Sequence, residues 1–217
     1  DDMMYSRLLG GLIFGHLHCG YLEKAYPVAR KLARFGKQVN LSYVETFAHY
    51  AAANIRLGTF YLEEALNGFS SAMEKKDIVN TKIAVDIMAG LSRTFQLLGR
   101  TDQAMTILGQ LAEFTERQSE PNHIDVAESC HARILILQGE SSRAIQWARS
   151  FTAEPHIPSM NFWLEIPQIT KARILIAEGT DDEIDKALQS LKSMNKQIDN
   201  LHNAYQKIEI LVLQSVA

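Results

Sequence analysis

Five apolar, helix-like runs in this 217-residue chain end in glycine, and an alanine follows each glycine five to eight residues later. The pairs are Gly20 with Ala25, Gly58 with Ala65, Gly99 with Ala104, Gly139 with Ala144, and Gly179 with Ala187. Successive glycines lie 38, 41, 40 and 40 residues apart. A fixed period of roughly 20 to 50 residues signals stacked repeats, because each unit is one supersecondary element that cannot bury its apolar face alone.

Each unit reads as a helix hairpin. Glycine accepts the left-handed backbone that ends a helix, and a small polar residue just after it can cap the next one. Thr59, Thr101, Ser141 and Asp181 stand at those places. The alanine falls early in the second helix, where a small side chain lets two helices approach closely. Downstream spacing is helical, as in Ala104, Ile107, Leu108, Leu111 and Phe114, the stripe of a single buried face. Runs such as CHARILILQG and ITKARILIAEG are apolar around most of their circumference, which suits a helix packed on several sides.

First helices are expected at about 4–19, 41–57, 78–98, 122–138 and 162–178. Second helices are expected at about 22–36, 60–75, 101–117, 141–151 and 181–199, with an eleventh beginning near 202. The expected fold is all-α: a right-handed α-α superhelix of about five hairpins plus a final helix, forming a single domain over 1–217. Pro155 and Pro158 make the 152–161 segment a stiff connector. Pro167 is expected in the first turn of a helix, where its missing N–H costs nothing.

Composition narrows the function. A net charge of -3 argues against direct nucleic-acid or anionic-membrane binding, since phosphate binding needs a concentrated basic face. Cys19 and Cys130 are far apart and form no CxxC pair, which fits a reducing, cytoplasmic setting. No run reaches the roughly 20 apolar residues of a membrane span. The opening Asp1-Asp2-Met3 and the closing run IEILVLQSVA, which carries no helix stop signal, suggest a domain of a larger protein.

A glycine followed five residues on by alanine, between two amphipathic helices, resembles the tetratricopeptide repeat (TPR). The 40-residue period is longer than usual for that repeat and resembles the TPR variant of MalT-type, LuxR-family transcriptional regulators. ARILILQGESSRAIQWARSF at 132–151, LEIPQITKARILIAEG at 164–179 and IEILVLQSVA at 208–217 carry the likeness; the N-terminal half matches only the generic repeat. The resemblance implies a signal-sensing and interaction domain without cofactor or catalysis, which binds a small-molecule inducer or protein partner on its concave face. A scaffold for a peptide or partner helix is the alternative, and self-association stays open. No P-loop pattern GxxxxGK[ST] occurs.

The sharpest candidate binding feature is a row of Arg93, Arg133 and Arg173, each six residues before its unit's glycine. Phe14 and Ala52 stand at the equivalent places in the first two units. Guanidinium groups there can grip carboxylates, phosphates or sugar hydroxyls. They can equally serve the fold, by offsetting the negative end of the helix dipole or pairing with acids of a neighbouring unit. Arg56 and Gln96 are expected to point into the same concavity.

Other clusters carry less. Of His16, His18 and Cys19, only His16 and Cys19 share a helix face, and two ligands do not make a structural zinc site. Cys130 and His131 are adjacent and diverge on a helix. Trp147, Phe162 and Trp163 fit core packing, or stacking on a sugar ring or base. Glu63-Glu64 and Asp181-Asp182-Glu183 occupy first turns of second helices and read as solvated faces.

Overall fold

The computed structural model describes residues 1–152, 164–201 and 203–217. Among them the fold is all-α, with eleven α-helices and one short 3-10 turn, Lys76–Ile78. The chain forms two compact units, Asp1–Gln118 and Ser119–Ala217.

In the first unit α1 (Asp2–His18), α3 (Ser42–Gly58) and α5 (Thr81–Leu97) are first helices; α2 (Leu22–Gln38), α4 (Leu62–Met73) and α6 (Thr101–Gln118) are their hairpin partners. Each helix packs on the next in sequence, and α3 also touches α1 and α5. The second unit repeats this with α7 (Pro121–Leu137), α8 (Ser141–Ser150), α9 (Pro167–Glu178), α10 (Asp181–Leu201) and α11 (Ala204–Val216). There α9 touches both α7 and α11. First helices are therefore surrounded, and α5 is buried at every residue from Ile83 to Ser92.

The helix-ending turns correct the sequence register. Gly20, Gly99 and Gly139 have φ of 73°, 73° and 79°, as expected, but in the second hairpin the left-handed residue is Phe60, φ 60°, and not Gly58. Gly58 is the last residue of α3. The bonding is the same at all four turns: Tyr21 N–H to His16 C=O, Tyr61 to Arg56, Arg100 to Phe95 and Glu140 to Leu135. These are the 6→1 bonds of a Schellman motif.

With Phe60 in place, the turn residues lie 40, 39 and 40 apart, and Ala25, Ala65, Ala104 and Ala144 each follow by five. All four alanines are 0% exposed. The position six before the turn in the second hairpin is consequently Asn54, not Ala52. Gly179 departs from the pattern with extended backbone, φ -82° and ψ 170°.

The expected caps are also revised. Thr59 donates its hydroxyl back to Ile55 C=O, while Thr101, Ser141 and Asp181 are already first residues of their helices. The hairpins close by backbone bonds instead. Thr180 takes the role given to Asp181, and Glu183 accepts from both its N–H and its hydroxyl, the reciprocal half of a capping box. Pro167 opens α9 at its first turn, so the helix expected from 162 starts later. Phe162, Trp163 and most of the proline connector lie outside the described residues.

Candidate functional site

Both units bury a carboxylate held by a hydroxyl 36 residues earlier on a first helix; the carboxylate is on α5 in the first unit and two residues before α9 in the second. In the first unit Tyr50 Oη on α3 donates to Asp86 Oδ2 on α5 at 2.8 Å, and Lys82 Nζ lies 3.4 Å from the same oxygen. Asp86 is 0% exposed. In the second unit Ser129 Oγ on α7 donates to Glu165 Oε1 at 2.7 Å. Thr170 Oγ1 also donates to Glu165 Oε1. A buried carboxylate persists in the fold only when so satisfied.

The second unit extends this device into an ion network. Arg133, 7% exposed, donates from Nη1 to Glu165 Oε2 at 3.1 Å and from Nη2 to Glu209 Oε1 at 3.3 Å. Arg173 Nη2 donates to the same Glu209 oxygen at 2.6 Å. Burial works against the charge on Arg133, but Glu165 and Glu209 outweigh it and raise its pKa. For Arg173, burial and the neighbouring Arg133 charge prevail and lower it. Arg173 Nε is buried and has no hydrogen-bond partner.

The remaining candidates are placed differently. Arg93 and Gln96 are half-buried late in α5. Arg56, expected beside them, faces the second helices instead: its guanidinium lies 3.5 Å from the Tyr26 ring centre and 4.4 Å from that of Tyr61. It also donates from Nε to Glu64 Oε2 at 3.0 Å. Tyr26 and Glu64 belong to α2 and α4, so Arg56 ties two hairpins together.

Ion pairs that sequence reading missed use the acidic runs. Glu63 meets Arg100 at 3.2 Å. Glu183 receives two bonds from Arg149, at 2.7 and 3.0 Å, and with Thr180 they hold its pKa down to about 2. Trp147 stacks on Phe151, ring centres 5.2 Å apart, and packs against the core of the second unit. Among the described residues no group of three His, Cys, Asp or Glu is placed to hold a metal ion, and no helix is long and apolar enough to cross a membrane.

Paired first and second helices stacked in sequence and alanines at one register together describe a tetratricopeptide array, and the model of the MalT-like TPR region matches residues 8–217. The chain belongs to this family. The match covers both units, so the N-terminal half, which resembled only the generic repeat, is part of the same region. A MalT-like TPR region is a helical interaction domain, and TPR regions generally mediate protein binding. No curated protein is significantly similar to the chain.

Proposed function

We propose that this MalT-like TPR region is the signal-sensing and interaction domain of a LuxR-family regulator, and that an inducer or regulatory partner engages its first helices. The observation carrying this reading is the Arg133–Glu209–Arg173 arrangement. One half-exposed carboxylate on α11 bridges two arginines on α7 and α9, and Arg173 retains an unpartnered N–H. A ligand carboxylate, phosphate or hydroxyl that took the place of Glu209 would free α11 and thereby favour a second state. A ligand acts only through such a difference in affinity. Within the first unit, Arg93 and Gln96 late in α5 are candidate contacts of their own, and Arg56, held by Tyr26 and Glu64, is a weaker one. The same array serves the alternative role of scaffold for a peptide or partner helix, in keeping with what TPR regions generally do.

A thermal-shift screen of oligosaccharides, nucleotides and small acids tests the sensor. A ligand at about 100 times its Kd stabilises by about 2.7 kcal/mol, and the shift should vanish in Arg173→Ala. Arg133→Ala is the structural control, since it strands the buried Glu165 and should lower the melting temperature itself by a loss of about 3 to 5 kcal/mol. A hit that stabilises Arg173→Ala as fully as the parent chain sinks the site. A flat screen together with a defined peptide partner moves the assignment to the scaffold. A P-loop module and a helix-turn-helix in the full-length protein are the expected companions of the regulator.

A further inference from the structure

On the second-helix side of the first unit, α2, α3 and α4 enclose a cleft of about 380 Å³. Its α2 wall is basic. Arg30, Arg34 and Lys37 are spaced four and three residues apart and line one stripe of the helix. Two carboxylates border the cleft, and both are already engaged: Glu45 by Lys75 at 2.9 Å, and Glu64 by Arg56 at 3.0 Å and the Tyr26 hydroxyl at 2.8 Å. Arg34 and Lys37 make no ion pair among the described residues. Arg30 reaches the Tyr26 hydroxyl at 3.3 Å and lies 5.9 Å from the Tyr26 ring centre, and makes no ion pair among the described residues. A chain with net charge -3 thus gathers three cations in one concavity whose two carboxylates are already held by Lys75 and Arg56, and low-dielectric walls focus the remaining field.

The other surfaces define the guest. Ala33, Ala52 and Gly68 line the cleft with small side chains, and tight helix packing keeps Gly68 small, since a Cβ there would lie 2.9 Å from Ala53 Cβ. Asn67 and Ser71 on α4 also line the cleft; Asn67 offers its amide, and Ser71, whose hydroxyl donates to Asn67 C=O at 2.9 Å, offers its oxygen as an acceptor. His49 lines it from α3; burial lowers its pKa, with the charges of Lys75, Arg30 and Lys37 adding to the effect against Glu45. A single carboxylate would neutralise only one of the three cations. A phosphomonoester brings close to two charges and three acceptor oxygens, and a volume near 380 Å³ leaves room for an organic body, as in ligand pockets generally.

We propose that this cleft binds a small phosphorylated molecule with a hydroxylated body: the phosphate lies on Arg30, Arg34 and Lys37, and the hydroxyls face Asn67 and Ser71. The site is separate from Glu209 and the arginines of α7 and α9, so Arg173→Ala tests that reading and leaves this one intact.

Calorimetric titration of the 217-residue chain with glucose 6-phosphate, AMP, glucose and inorganic phosphate tests it. The two phosphomonoesters should bind, and glucose should not. Inorganic phosphate should bind more weakly than either. Added salt should weaken binding, because the contact is charge on charge. Arg30→Ala combined with Arg34→Ala should cost at least about tenfold in affinity, given the strength of charge-assisted bonds, while Lys192→Ala, an exposed cation on α10, should change nothing. Backbone NMR of the unsubstituted chain localises the site whether or not the double variant folds: glucose 6-phosphate should shift the amides of Arg34, Asn67 and Ser71. The assignment is overturned if neither phosphomonoester binds at up to about 10 mM, if glucose or free phosphate binds as well as glucose 6-phosphate, or if the shifted amides lie outside α2 to α4. Binding of an acidic peptide or of phosphatidylserine vesicles alone also overturns it.

Discussion

At the scale of single residues, the buried carboxylates set the demands. Asp86 has no exposure, so its hydroxyl partner contributes more than a surface bond would. Tyr50→Phe removes one donor from that carboxylate and should lower stability by about 1 to 3 kcal/mol, read from urea denaturation. Histidines set the pH response. Burial lowers the pKa of His49 and of His131, with Arg143 adding to the effect on His131. Both titrate near 6.5 when unfolded, so on acidification the unfolded chain takes up protons first. Their stabilisation is complete above that value and is lost as pH falls through the depressed folded values. The melting temperature should therefore drop between about pH 7.5 and 5.5, and combining His49→Gln with His131→Gln should flatten that slope. None of these partnerships was legible beforehand. Tyr50 and Asp86, or Arg133 and Glu209, are brought together by stacking of separate hairpins, and no local spacing announces them.

At the scale of the helix hairpin, most of the design was legible, because it depends on local chemistry. Apolar stripes, alanines at the close approach and prolines in first turns each have a short-range cause. The register failed where the chain departs from the usual residue. Phe60 adopts φ 60°, a region where a side chain costs about 1 to 2 kcal/mol, so a glycine search settles on Gly58 two residues early. Phe60 is 73% exposed and has almost no packing to lose. Phe60→Gly should relieve the strain, with the extra chain entropy of glycine taking back about 0.5 to 1 kcal/mol, for a net gain near 0.5 kcal/mol in denaturant titration. Gly139→Ala is the mirror test: open space surrounds its Cβ position, so the expected loss of about 1 kcal/mol is purely conformational.

At the scale of the molecule, repetition was evident in the sequence but the division at Gln118 and Ser119 was not, since the period runs through it unbroken. Each unit has its own core and its own buried polar device: Tyr50 with Asp86 in one, Ser129 and Arg133 with Glu165 in the other. In repeat proteins, stability is a sum of terms from units and their neighbours, and local openings differ in free energy along the chain. Glu165→Gln removes the charge that Arg133 opposes while keeping the side chain's shape. It leaves that buried guanidinium with Glu209 alone, so its cost falls on the second unit. Hydrogen exchange of the full chain should show faster exchange in α7, α9 and α11, with α3 and α5 unchanged. Tyr50→Phe should give the reverse pattern. Equal acceleration throughout the chain in both variants would mean that the two units open as one cooperative body, and that each buried carboxylate stabilises the helices of both.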